Sequence, residues 1–102
     1  MKIQILRIDD CPNWQDAETH VREALAALNR TDIEVTVRLL ETEEDAVSVA
    51  FAGSPTILID GQDLFPSGGT TTELACRIYR TEHGFTGAPT TQQILDALSA
   101  PQ

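Results

Sequence analysis

Two short apolar runs constrain the architecture of this chain, because neither leaves a face for water. Residues 2–8 carry Ile3, Ile5, Leu6 and Ile8, and the second run reads Thr56-Ile57-Leu58-Ile59. A strand with one wet face alternates apolar and polar side chains, whereas a strand covered on both faces does not. Both runs therefore predict central strands. Ile33, Val35, Val37 and Leu39 instead alternate with Glu34, Thr36 and Arg38, the pattern of a half-exposed edge strand. Between the first run and this edge, residues 12–29 space Trp14, Ala17, Val21, Ala24, Leu25 and Leu28 three and four apart. That spacing predicts a long amphipathic helix with Pro12 in its first turn, where no amide hydrogen is needed.

The remaining segments follow from local signals. A short helix is expected over residues 43–51, broken by Gly53, and Asp60-Gly61 after the second apolar run is a strong hairpin signal that predicts a return strand over 62–65. Ser67-Gly68-Gly69 reads as a loop. Residues 72–80 read as a short helix with Leu74, Ala75, Ile78 and Tyr79 on one face, and 84–89 as a second loop. Thr90 and Gln93 form a capping box for a last helix through Ile94, Leu95 and Leu98. The expected fold class is α/β, a four-stranded mixed sheet flanked by helices, in a single domain spanning residues 1–102, with the first and third strands central and the second and fourth at the edges.

Chemistry concentrates where the first strand hands over to the first helix. Cys11 sits at or just before the first turn, where unpaired amides and the positive end of the helix dipole favour a thiolate by roughly 0.3–1 kcal/mol. Asp9, Asp10 and Asp16 oppose this, each acting on the order of 1 kcal/mol. Cys11 thus reads either as a reactive thiol, more reactive than Cys76, or as a small residue closing the helix start. The step Ser54-Pro55, just before the strand that opens at Thr56, is where a cis bond is expected, since proline alone supplies one readily. A thiol at a helix start paired with such a proline resembles the thioredoxin-like plan and favours the first reading. Position 14 is Trp14, so no vicinal disulfide forms with Cys11; at helical spacing with Ala17 and Val21 the indole reads as packing, with substrate contact as the alternative. Cys76 is the second thiol, either a resolving partner for Cys11 or a small apolar residue beside Ile78 and Tyr79. Gly68 and Gly69 read as a plain loop or as amides presented to a carboxylate. His20, His83 and two cysteines at non-motif spacing predict no metal site, and no cofactor is expected.

Sixteen acidic against seven basic side chains give a net charge of -9, which repels nucleic-acid phosphates and anionic membranes. With no apolar run of about 18 residues and no signal-peptide pattern, a cytoplasmic location is expected, and with it reduced thiols. Oligomeric state is not readable from the sequence.

Cys11-Pro12-Asn13, Phe51-Ala52-Gly53-Ser54-Pro55-Thr56, Asp60-Gly61-Gln62-Asp63-Leu64-Phe65 and Cys76-Arg77-Ile78-Tyr79, followed by Gly84 and Pro89, together resemble a family of small bacterial thioredoxin-like proteins, some of them named for alkylmercury lyase. The likeness spans nearly the whole chain. It implies a thioredoxin fold, thiol chemistry on a protein or small-molecule thiol or disulfide, Cys11 as attacking thiol with Cys76 as a possible resolving one, and Ser54, Pro55, Thr56 and Trp14 around the substrate. The pair Gly68 and Gly69 resembles the place where glutaredoxins hold the end of glutathione. Family members often carry a second cysteine or selenocysteine where this chain has Trp14, which leaves open a non-catalytic binding module and a lyase-like or low-molecular-weight-thiol enzyme.

Overall fold

The computed structural model describes residues 1–9, 11–30, 32–66 and 70–99. β1 (Lys2–Arg7) runs parallel to β2 (Glu34–Leu39), with Ile3 opposite Val35 and Ile5 opposite Val37. On its other side it runs antiparallel to β3 (Thr56–Ile59), with Ile3 opposite Ile59 and Ile5 opposite Ile57. β4 (Gln62–Asp63) closes the sheet in the order β2-β1-β3-β4, so the two continuous apolar runs are the central strands, as expected. This register gathers Ile3, Ile5, Val35, Val37, Ile57 and Ile59 on one face, where α1 (Trp14–Ala27) and α3 (Thr91–Ser99) cover them. Leu6, Ile8 and Leu58 face the other way, onto α2 (Glu43–Val47) and Phe51. Ile3, Ile5, Val21, Ile57 and Ile94 have no exposed surface. Each such burial stabilises the fold by about 1.5–3 kcal/mol.

Turn and cap chemistry fixes the joints. α1 ends in a Schellman motif: Asn29 takes φ 56°, and the amides of Asn29 and Arg30 return to the carbonyls of Ala26 and Leu25. Asp60 and Gly61 both take positive φ, 49° and 86°, as a tight turn between antiparallel strands requires. Thr42 and Asp45 cap α2 reciprocally, and Thr90 and Gln93 do the same ahead of α3.

Several boundaries move. α1 begins at Trp14, with Pro12 and Asn13 in a preceding turn, and α2 stops at Val47, four residues earlier than the expected 43–51. The return strand shortens to Gln62–Asp63. The larger correction concerns residues 72–80, which form no helix. Residues 70–78 run without regular structure, and β5 (Tyr79–Thr81) pairs antiparallel with β6 (Gly84–Thr86), where a loop was expected. Arg77, Tyr79 and Thr81 are buried while Cys76, Ile78 and Arg80 are exposed, a period of two. The supposed apolar helix face does not exist, because Ile78 points outward and an arginine takes its place inside. No helix among the described residues is long and apolar enough to cross a membrane.

Candidate functional site

Ser54 is the point on which this end of the molecule converges. Its hydroxyl accepts the Ile8 amide at 3.1 Å, which anchors it to the residue just beyond β1. Its own amide donates to the Ala75 carbonyl at 2.8 Å, and its carbonyl accepts the Arg77 amide at 2.7 Å. These two bonds make a parallel bridge between Ser54 and Cys76. The Cys11 thiol donates to the same Ser54 carbonyl at 3.5 Å. The Cys11 thiol and the backbone around Cys76 thus meet at Ser54, and the bond from Ser54 to Pro55 is cis, as expected.

The two sulfurs differ in access. Cys11 has no exposed surface and lies in the apolar cluster of Leu6, Ile8, Leu40, Phe51 and Leu58, with Leu74 packed against it. Cys76 is exposed. The expectation that Cys76 rides on a helix fails, and extended pairing brings it to Ser54 instead. Access alone favours Cys76 for an incoming reagent, against the order expected from the helix start.

Asn13 stands at the helix start but spends its side chain elsewhere. Its backbone is helical (φ −63°, ψ −14°), and its amide group reaches Cys11 Sγ at 3.6 Å in place of capping the helix. Gly87 makes room for it, since a Cβ there would stand 2.1 Å from Asn13 Nδ2. Trp14 is half-buried against the core, with the Arg7 guanidinium 4.4 Å from its ring centre. Ser54, Pro55 and Thr56 are buried; the Thr56 hydroxyl donates to the Gly53 carbonyl and accepts the Ala52 amide. They shape the site from beneath. Gly68 and Gly69 lie outside the described residues.

A polar brace that the sequence reading missed supports this edge. Arg77 forms an ion pair with Asp63 at 2.9 Å, with side chains only 8% and 14% exposed, and also donates to the Phe65 carbonyl. Its guanidinium lies 4.6 Å from the ring centre of Tyr79, and Phe65 meets that ring edge-on at 5.8 Å. The Tyr79 hydroxyl donates to the Pro55 carbonyl. Burial pushes the Tyr79 phenol well above its ordinary value, and the nearby Arg77 charge opposes that only in part. Gly53 (φ 108°) sits so close to Arg77 that a Cβ would approach the Arg77 Cβ to 2.8 Å. The signal available in the sequence was Arg77 itself, flanked by Cys76 and Ile78 in a segment whose strand period appears only if the arginine is counted as buried.

A cleft of about 270 Å³ opens at the same sheet end, between Ile8, Asp9, Leu40, Glu41 and Leu74. Ile8, Leu40 and Leu74 of its lining also belong to or pack on the apolar cluster that holds Cys11. Among the described residues no group of three or more His, Cys, Asp or Glu side chains is placed to hold a metal ion. Comparison of the chain with models of protein families, with curated proteins and with solved structures finds no match in any of the three.

Proposed function

We propose that this chain is a thioredoxin-like thiol–disulfide oxidoreductase whose redox pair is Cys11 and Cys76. The observation that carries the reading is the convergence on Ser54: the Cys11 thiol on its carbonyl, and the Cys76 segment bonded to it from both sides. The sheet order, with α1 and α3 on one face and α2 on the other, agrees with the thioredoxin-like resemblance. Exposure divides the roles. The Cys76 thiolate attacks a substrate disulfide, forming a mixed disulfide and releasing one substrate thiolate. The Cys11 thiolate then attacks the Cys76 sulfur, which releases the second substrate thiolate and leaves a Cys11–Cys76 disulfide. Two electrons pass to the substrate, and an external dithiol or low-molecular-weight thiol returns them. Ile78 and Phe85, 71% and 76% exposed, lie on the same side of this segment as Cys76 and offer apolar surface to the chain flanking a substrate disulfide.

The test is disulfide reduction by wild type, Cys11→Ser and Cys76→Ser, with mass spectrometry of the mildly oxidised protein. The reading expects an intrachain bridge in wild type, a trapped mixed disulfide at Cys76 in Cys11→Ser, and no turnover by either variant. Oxidation that yields only intermolecular dimers or adducts at Cys76 would sink it. The complete burial of Cys11, with Trp14 in the place of a second helix thiol, favours a second reading as a non-catalytic binding module. In that case wild type and Cys11→Ser are equally inert.

A further inference from the structure

β2 is an outer strand of the sheet, six residues long, and its sequence Glu34-Val35-Thr36-Val37-Arg38 is self-complementary about Thr36. When two copies of such a strand meet antiparallel with Thr36 opposite Thr36, Val35 of each faces Val37 of the other, and Glu34 of each faces Arg38 of the other. Ile33 and Leu39 extend the match. Directly opposed residues share a sheet face, so like meets like on the apolar side and opposite charges meet on the other. A strand of the same length with Glu and Arg not placed symmetrically about its centre would leave both charges unpaired in this register.

We infer that the β2 edge is a docking surface for a second copy of this chain, forming a continuous eight-stranded sheet across a two-fold axis. Three observations support that occupant. Among the described residues Glu34 makes no ion pair, and Arg38 donates to the Ser48 hydroxyl at 3.4 Å and makes no ion pair within 4 Å, although its charge is felt at Asp45. A groove of about 260 Å³ runs beside this edge, lined by Arg22, Leu25, Ala26, Arg30, Ile33 and Val35. In the paired register Val37 and Leu39 of the second copy arrive on that same face, opposite Val35 and Ile33, and cover it. The Thr36 hydroxyl is buried without a hydrogen-bond partner among the described residues. At the two-fold axis a χ1 rotation brings it to its own symmetry mate, a favourable cross-strand pair.

The charge pattern supplies its own test by analytical ultracentrifugation near physiological salt. Wild type is expected to dimerise. Arg38→Glu sets Glu against Glu twice in a homodimer, and Glu34→Arg sets Arg against Arg twice, so each variant alone should weaken association by about ten-fold or more. Mixed together, the two variants restore both opposite-charge contacts and should form a heterodimer. The double variant Glu34→Arg/Arg38→Glu should regain the homodimer, which separates lost pairing from lost folding. A wild type that stays monomeric up to about 1 mM, the weak end of specific association, overturns the proposal. So does a dimer that survives both single variants, or a mixture that fails to associate.

Discussion

Replacing Tyr79 with Phe and following stability with pH tests how the edge at Pro55 is held. The chain has one tyrosine, so tyrosinate absorbance reports Tyr79 alone. Tyr79 is 5% exposed, and its hydroxyl donates to the Pro55 carbonyl. Burial first, and the Asp63 carboxylate as well, disfavour its ionised form in the fold, while Arg77 favours it less strongly. Its ionisation in the folded protein therefore lies above the ordinary 10.0 of the unfolded chain. The associated stability is fully present below that value and is lost as pH rises beyond it, because the unfolded state releases its proton first. Each pH unit above removes about 1.4 kcal/mol, so roughly 2.7 kcal/mol is gone two units higher. At neutral pH Tyr79→Phe removes the donor to a buried carbonyl, a cost of about 1–3 kcal/mol. The two stability curves, measured by urea unfolding, should start that far apart and meet about one to two units above the unfolded value. Wild-type tyrosinate should appear together with loss of secondary structure. A gentle titration centred near 10.0 with the circular dichroism intact would refute the argument.

Gly53→Ala should destabilise by at least about 1–3 kcal/mol in urea unfolding, since φ 108° strains any side chain and the new Cβ meets that of Arg77 at 2.8 Å. Arg77→Met strands the Asp63 carboxylate in a nearly closed site and should cost about 3–5 kcal/mol, with most of the loss recovered in Arg77→Met/Asp63→Leu. In native protein an alkylating reagent should modify Cys76 well before Cys11, read by peptide mass spectrometry, and equal rates would contradict the burial of Cys11. The Glu41 amide, ahead of Thr42, holds the Asp45 carboxyl below its ordinary 3.8. The stability this gives is present above that pH and lost below it, so the melting difference between wild type and Asp45→Asn should shrink as pH falls through the acid range.

The sheet was legible because its strands obey the patterns that expose or bury whole faces. Ile3, Ile5, Leu6 and Ile57 to Ile59 leave no polar side, and Asp60-Gly61 accepts the positive φ of a tight turn. The Thr90 and Gln93 cap was legible for the same reason, since one local interaction decides it. Residues 72–80 were misread because tertiary pairing reverses their polarity. Asp63 and the Phe65 carbonyl, both distant in sequence, neutralise and solvate Arg77 and let it go inside, while Ile78 is left at 71% exposure. No local pattern contains that information. The site shows the same division. Cys11 and the cis step at Ser54-Pro55 were readable from their positions, whereas the meeting of Cys76 with Ser54 depends on a bridge formed by a segment with no regular period of its own.

That bridge couples access to Cys11 with the freedom of Cys76. In a vicinal dithiol both sulfurs ride on one helical turn, and the helix sets their separation. Here Trp14 fills that turn beneath Arg7, so the proposed redox pair draws its second thiol from another segment. The backbone on either side of Cys76 is tied to Ser54, through the Ala75 carbonyl and the Arg77 amide, and Leu74 just before it packs on the cluster that encloses Cys11. Releasing residues 74–77 would uncover Cys11 and free Cys76 in one movement. The Arg77–Asp63 pair and the Tyr79 bond to Pro55 oppose that release from the far side. Weakening either brace should therefore quicken alkylation of Cys11 more than that of Cys76, whose exposure does not depend on the segment letting go.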